Sequence, residues 1–275
     1  MSPCPATAAV PELRRARERL RAHSPLLTHA LVEATDTLTA HTERSPIARS
    51  LTAALEATPR VCALDLAASG WPLGAVLVEL SELAQMGALR VRPPLAAGDP
   101  AAATVLAQVD LASTGRTFGD SVSMKVAVAG PGAHAVVASL GEPHLMEGMV
   151  DRLPGHAARP WMFTRLGAGG YVVYVAADTA AAPGEEAWYQ LLRGAVGVVV
   201  TVNADVQSRH LGRRAAVEAR VAGLSCVLAG ALTSDQVHPE LDEVAPVAPA
   251  GPGDPAGSRA ALRFLAEAIE TGRQR

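Results

Sequence analysis

The pattern of apolar and polar positions changes near residue 123, and the two parts of the chain predict different structures. From there onward, short apolar runs that predict strands are separated by segments with helical spacing. The most apolar run, VGVVVTV at 196–202, predicts a central strand buried on both faces. The other predicted strands lie at 126–129, 160–165, 171–176, 225–232 and 244–247.

Helices are predicted between these strands, at 135–153, 185–193, 208–222 and 258–270. The glycine-rich turn at 167–170 joins two predicted strands directly, which predicts a β-hairpin. The order is strand, helix, hairpin, helix, strand, helix, strand, short helix, strand, helix. This alternation is typical of an α/β domain with a mostly parallel sheet, to which the hairpin adds one antiparallel edge strand.

The part of the chain before residue 96 has helical spacing. Leucines near heptad positions between 13 and 38, interrupted by Pro25, predict N-terminal helices within 1–44. Three further helices, at 45–57, 61–70 and 72–86, and a strand at 88–92 make up a second predicted region, 45–95. Residues 96–122 are rich in Pro, Gly and Ala and predict a linker to the α/β domain at 123–275, within which 104–111 fits either a strand or a short helix.

Composition limits the possible core and partners. Of the 275 residues, 49% are hydrophobic and only 3% aromatic, so the core is expected to consist of Ala, Val and Leu. The formal net charge of −3 gives no general attraction to nucleic acids or anionic membranes. The N-terminal sequence shows no apolar signal segment, and no apolar run reaches the ~18 residues of a membrane span. We therefore expect a cytoplasmic protein with no membrane span.

The three cysteines, Cys4, Cys62 and Cys226, are far apart and lack CxxC spacing. This argues against a disulfide framework and a zinc site, and favours free thiols. We also find no Ser/His/Asp arrangement, no paired carboxylates at a predicted strand end and no metal-ligand spacing. We therefore expect no catalytic residues, no metal and no cofactor, although an enzyme of another kind on the same scaffold stays an open alternative because a fold alone does not exclude a function.

The segment KVAVAGPGAHAVV, at 125–137, is the clearest candidate for a binding site. A strand, a glycine loop and a helix in this order form a phosphate cradle, in which backbone N–H groups and the helix N-terminus meet an anion. A P-loop needs Gly-Lys-Ser/Thr after four residues, but counting from Gly130 those positions hold Ala135, Val136 and Val137. The sequence therefore predicts the backbone of a phosphate-binding loop. It lacks the lysine that would contact the phosphates and the hydroxyl that would hold magnesium.

The segment LAASGWPLGAVLVELSELAQMGALRV, at 66–91, resembles the effector-type winged helices of bacterial signalling proteins. The recognition helix implied by this resemblance, at 72–86, contains Glu79 and Glu82 and no Lys or Arg. A helix in the major groove needs hydrogen-bond donors for phosphates and bases. Three arginines flank the helix and would be the DNA-binding residues of this region: Arg60, Arg90 and Arg92. The charges favour a protein-interaction role over DNA binding.

The hairpin inserted after the first helix of the α/β domain is the topology of Ras-like small GTPases. The segment GEEAWYQLLRGAVGVVVTVNAD, at 184–205, also resembles them, in particular the bacterial small GTPases that act in polarity and in actinobacterial signalling operons. The fold implied is a Ras-like, P-loop-type α/β domain joined to a winged-helix-like domain.

The resemblance also marks the remnants of a nucleotide site: Gly130, Gly132, His134, Asp178 and Asp235. Asp178 falls near the magnesium-side Asp-x-x-Gly, but DTAAAPGEE lacks that spacing. Of the guanine-reading Asn-Lys-x-Asp only the aspartate, Asp235, is present, and a lone loop aspartate is commonly solvated or a helix cap. His134 offers one donor when protonated, or is simply an exposed loop histidine.

Together these features predict a pseudo-GTPase, which is a non-catalytic scaffold that has lost nucleotide binding and engages protein partners. The resemblance implies three kinds of partner: true small GTPases, their roadblock-type regulators, or a second copy of the chain. The alternative is a DNA-binding regulator that uses the winged helix.

Overall fold

A computed structural model describes residues 28–109, 122–147, 160–168, 171–178, 181–230, 244–249 and 253–272. The chain divides into two compact units. Unit 1 consists of residues 1–93 and 146–158, and unit 2 consists of 94–145 and 159–275.

Unit 1 is a small helical unit with a two-stranded sheet. Its elements are β1 (Leu31–Ala34), a 3-10 helix (Leu38–Arg44), α1 (Pro46–Ala57), α2 (Ala63–Ala68), α3 (Leu73–Gln85) and β2 (Leu89–Arg92). Ser45 accepts a hydrogen bond from the Ala48 N–H and caps α1, with Pro46 in the first turn. The buried face of α3 has the predicted spacing: Leu73, Val76, Leu77, Leu80 and Leu83. The three helices and the strand predicted over 45–92 are therefore present.

The helix predicted to run through residues 31–38 is wrong. Leu31–Ala34 is a strand, and it pairs antiparallel with β2, from Leu31 opposite Arg92 to Ala34 opposite Leu89. Val32 also bridges to Val61, so β1 has a neighbour on both sides. Adjacent Leu31 and Val32 point to opposite faces of the strand and are both fully buried, so both faces of β1 are covered. The earlier part of the predicted helices, before residue 28, lies outside the described residues.

This pairing also gives the neighbour of the strand predicted at 88–92. β2 pairs with β1, a strand that precedes all three helices. The chain then leaves β2 through Pro93 and Pro94 toward unit 2. Over the continuous stretch 28–109, therefore, no hairpin follows α3.

Unit 2 is built on a seven-stranded sheet of order β4-β5-β6-β3-β7-β8-β9. Its elements are α4 (Pro100–Ala107), β3 (Val122–Ala129), α5 (Ala133–Leu140), β4 (His144–Glu147), β5 (Pro160–Ala168), β6 (Tyr171–Asp178), α6 (Glu186–Leu192), β7 (Ala195–Thr201), α7 (Val206–Val221), β8 (Ser225–Gly230), β9 (Val247–Pro249) and α8 (Pro255–Gly272). Strands β6, β3, β7, β8 and β9 are parallel, and β5 is antiparallel to β6. The predicted mixed α/β class and the inserted hairpin are confirmed.

Helices cover both faces of this sheet. Val227 and Ala229 of β8 belong to the core that includes Leu262 and Leu265 of α8. Leu228, whose side chain alternates to the other face, lies near Gly212 of α7. Both faces are thus buried, which explains why the strands are apolar throughout.

The predicted end of the first helix after β3 is wrong. Helix α5 ends at Leu140, and His144–Glu147 forms an edge strand instead of continuing the helix. Gly141 closes the helix where a Cβ would lie 2.7 Å from the Thr164 hydroxyl oxygen, and Pro143 cannot continue a helix. Residues 148–153 lie outside the described part.

The stretch predicted as a linker contains a helix of the core. Asp99 caps α4 by accepting from the Ala101 N–H at 2.9 Å. Ala102, Val105 and Leu106 are buried in the same core as α8. Residues 100–107 are therefore part of unit 2 and not a linker, and residues 110–121 lie outside the described residues.

Candidate functional site

The glycine loop at the end of β3 is a turn of only three residues. β3 ends at Ala129 and α5 begins at Ala133, two residues earlier than predicted, so Gly130-Pro131-Gly132 alone connect them. A P-loop places four residues between its first glycine and its Gly-Lys pair, and the N–H groups of that longer loop surround the phosphates. A three-residue turn cannot form such a ring of donors.

Neighbouring protein groups occupy the space beside Gly130. Its φ is +97°, and a Cβ there would overlap the Thr201 carbonyl oxygen and lie 2.9 Å from the Thr201 Oγ1. The Thr201 hydroxyl is buried and donates to the Ala129 carbonyl oxygen at 2.9 Å. The end of β3 is thus closed onto the end of β7, and Gly130 is required for this close approach.

The positions of the absent P-loop lysine and hydroxyl face the core. Val136 and Val137 on α5 are 3% and 0% exposed and pack among the residues of the main core. In the first turn, the Ala133 N–H donates to the Gly130 carbonyl at 3.1 Å and the Val136 N–H to that of Gly132 at 3.1 Å. Side chains at 136 and 137 therefore could not reach a phosphate even if their chemistry were restored.

Two other predicted remnants come near this turn. His134 lies on the first turn of α5, not in the loop, and its Nε2 is buried with no hydrogen-bond partner in the described part of the chain. Asp178 is buried at the end of β6 and is paired in register with Ala129. The sheet thus brings Gly130, Thr201 and Asp178 to one edge. Asp235 falls outside the described residues.

The loop after Asp178 packs on α7. The next glycine, Gly184, has a φ of +86°, and a Cβ there would overlap the Arg214 guanidinium. The Arg214 Nε in turn lies 3.0 Å from Glu218 Oε1. The magnesium-side Asp-x-x-Gly is therefore replaced by a longer segment in which the glycine meets a cation from α7.

Sequence reasoning missed a buried cation in β3. Lys125 is the only lysine of the chain and is 1% exposed. Its ammonium lies 5.8 Å from the centroid of the Trp161 ring. Burial, with a contribution from Arg193, lowers the pKa of Lys125 to about 7. Since Lys125 precedes Gly130 by five residues of strand, roughly 16 Å, it does not stand in for a P-loop lysine.

In unit 1, two of the three arginines proposed for DNA are held by a carboxylate. Arg60 is 6% exposed and forms an ion pair with Glu33, and the Arg92 Nε lies 2.7 Å from the same Glu33 oxygen. Burial raises the pKa of Glu33, but hydrogen bonds and charges from both arginines outweigh it and hold that pKa below its usual range. Arg90 is exposed. Sequence analysis missed this ion pair because Glu33 lay in a segment that was predicted to be helical.

The outer face of α3 is acidic, as predicted. Arg44 contacts both carboxylates of this face: its Nε lies 3.5 Å from Glu79, and its guanidinium forms an ion pair with Glu82. The helix therefore presents carboxylates that an arginine from the 3-10 helix partly neutralises, and it carries no Lys or Arg of its own to contact a phosphate.

The described residues were also compared with the requirements of a metal site and of a membrane-spanning helix. No group of three or more His, Cys, Asp or Glu side chains comes together there, and no helix among them is long and apolar enough to cross a membrane. Cys62 and Cys226 are buried thiols, and burial raises the pKa of Cys226 to about 12, so Cys226 is a poor nucleophile. Cys4 lies outside the described residues.

Comparison with known proteins gives only a distant likeness. No protein-family model and no curated protein matches the chain. Two solved structures of the cytosolic domain of the Thermotoga maritima FeoB iron transporter resemble it, one in a GDP form and one in the apo form. The GDP form is 17% identical with a TM-score of 0.32, and the apo form is 18% identical with a TM-score of 0.34. The match covers 56% of this chain and 64–65% of those chains, which is less than two thirds of their length.

Proposed function

We propose that the chain is a non-catalytic protein-interaction scaffold whose α/β unit is a pseudo-GTPase that does not bind nucleotide. The observation that carries this proposal is the three-residue turn at Gly130, which lies against Thr201 where a phosphate would have to enter. Its partners would be true small GTPases, roadblock-type regulators or a second copy, acting in signalling or polarity in the cytoplasm.

The energetics of the absent contacts support the loss of nucleotide binding. Tight binding of a nucleoside triphosphate depends on charge-assisted contacts to its phosphates. Each such contact contributes about 1.5–3 kcal/mol. Without the lysine and a magnesium-binding hydroxyl, the affinity is expected to fall by roughly 10²–10⁴. The closed turn at Gly130 should lower the nucleotide affinity further, because it hinders the entry of a phosphate.

Calorimetric titration of the full chain with GDP and GTP, with and without magnesium, tests the proposal. We expect no heat of binding up to millimolar nucleotide, with a nucleotide-binding small GTPase as the positive control. Micromolar binding, or GTP hydrolysis by the pure protein, would overturn the proposal and would require phosphate-binding residues elsewhere in the chain.

The alternative function is DNA binding by unit 1, and the arrangement of α2, α3 and β2 is the feature that favours it. Of its three candidate arginines, Arg90 is exposed while Arg60 and Arg92 contact Glu33. A salt-dependent shift of duplex DNA that weakens in Arg90→Ala would support this function. No shift at low salt would reject it.

A further inference from the structure

Helix α7 has an outward face with exposed apolar side chains. Its inward face packs on the sheet through small residues: Ser208, Gly212, Ala215, Ala216 and Ala219. Gly212 fixes this packing, because a Cβ there would overlap a methyl group of Val202. The orientation of the helix is therefore set, and the residues opposite these five face away from the sheet.

Three valines lie on that outward face. Val206, Val217 and Val221 are 64%, 46% and 85% exposed. At about 100° per residue they fall within about 60° of one another, along roughly 22 Å of helix. Valine has a lower helix propensity than Ala or Leu, so these side chains do not serve the helix itself. We call these three residues the valine stripe.

Arginines border the stripe on both sides. Helical spacing places Arg209, Arg213 and Arg220 along one border and Arg214 along the other. The one acidic residue of the helix, Glu218, forms an ion pair with Arg214. Exposed His210 lies in the same sector, between Val206 and Val217. Of the arginines, Arg220 donates to the Val244 carbonyl at 2.6 Å. The surface thus combines exposed valines with a basic border, and protein interfaces likewise have a polar rim.

These features favour one class of occupant over two others. A second copy using the same face would bring arginines against arginines, because a two-fold interface places one patch on itself. A nucleic acid would complement the positive charge of the arginines but would leave three valines against phosphates and sugars. A helix with an apolar stripe flanked by Asp or Glu complements both the valines and the arginines.

We infer that the valine stripe of α7 is the docking site for an acidic amphipathic helix of a protein partner. This inference rests on the proposed scaffold function and gives the chemistry of one partner. Its test is independent of the nucleotide titration, since the stripe lies on α7 and the closed turn lies at the end of β3.

The test uses the full chain and three synthetic helical peptides that share one leucine stripe. Their flanking polar positions are all Glu, all Gln or all Lys. Fluorescence anisotropy measures each affinity at low and at physiological salt. We expect the Glu peptide to bind at least about tenfold more tightly than the Gln peptide, with a smaller advantage at higher salt because rim charges are screened.

Surface variants locate the binding. Val217→Ser with Val221→Ser should weaken the Glu peptide at least about tenfold, because the centre of an interface supplies most of the affinity. Arg213→Gln should weaken it a few-fold, as expected for a rim charge. Val91→Ser, which changes a valine of unit 1 that is 36% exposed, is the matched control and should bind like the original chain. Circular dichroism verifies that each variant is folded.

Several results would overturn the inference. These are equal binding of the three peptides, no binding of any, or unchanged binding by the double serine variant. A concentration-dependent dimer that the double variant abolishes would assign the stripe to a second copy. Displacement of the Glu peptide by duplex DNA would assign it to nucleic acid.

Discussion

The glycine turn of unit 2 was interpreted as the remnant of a phosphate site and the arginines of unit 1 as the DNA contacts of the alternative function. The structure places protein groups against each of them in a different way. At Gly130 the closure is steric, because the backbone lies against the Thr201 carbonyl and no side chain fits between them. At Arg60 and Arg92 the closure is electrostatic, because the Glu33 carboxylate contacts the Nε of both arginines and offsets their charge. Steric closure depends on backbone geometry and is insensitive to pH, whereas electrostatic closure requires an ionised carboxylate. The first can be broken only by disturbing the fold, and the second can be removed by one proton.

Of the substitutions at the two closures, the one with the largest expected effect tests the steric closure. Gly130→Ala should lower the free energy of unfolding by about 3 kcal/mol or more, because it adds an overlap with Thr201 to the strain of a positive φ. Gly223→Ala is the matched control: its φ is +74° and no atom lies within 4 Å of the added Cβ. It should lose only about 1 kcal/mol. Urea unfolding measures both, and equal losses would contradict a steric closure at Gly130.

The next effect tests the electrostatic closure. Glu33→Gln keeps the shape but removes the charge that Arg60 and Arg92 share, and should cost about 2 kcal/mol. The folded pKa of Glu33 lies below its ordinary value of 4.5, so its contribution is complete above pH 4.5 and is lost as the pH falls further. Urea unfolding at several pH values should therefore bring the original chain and the variant together in acid. A constant difference at every pH would show that the charge is not responsible.

Lys125 differs from the arginines of unit 1, because it is buried against an aromatic ring and burial disfavours its charge. Its pKa is 10.5 in an exposed chain and about 7 when folded. Between these values the unfolded chain holds a proton that the folded chain has released, so the stability should rise with pH from about 7 to 10.5. The slope is at most about 1.4 kcal/mol per pH unit. Lys125→Met should remove this rise, and parallel pH profiles of the two proteins would contradict it.

The α/β elements could be predicted because their signals are local. The apolar run at β7 and the spacing on α7 are properties of neighbouring residues, and both elements lie within two residues of their predicted bounds. The wrong predictions concern elements whose structure depends on residues far away in the sequence. β1 is a strand because β2, which begins 58 positions after it, pairs with it, and α5 stops where Gly141 meets Thr164. The burial of Lys125 and the capture of Arg60 by Glu33 likewise depend on contacts that no local spacing contains.

The substitution with the smallest expected effect distinguishes the two contacts by which Thr201 closes the end of β3. Thr201 contributes its carbonyl, which lies against Gly130, and its hydroxyl, which donates to the Ala129 carbonyl at 2.9 Å. Thr201→Val keeps the backbone and the shape but leaves a buried carbonyl without this donor, so it should cost about 1 kcal/mol in urea unfolding. Because the backbone contact persists, the turn should stay closed and nucleotide binding should stay absent. If Thr201→Val instead allowed GDP to bind in the calorimeter, the hydroxyl rather than the backbone would close the site, and the contrast with the arginines of unit 1 would be lost.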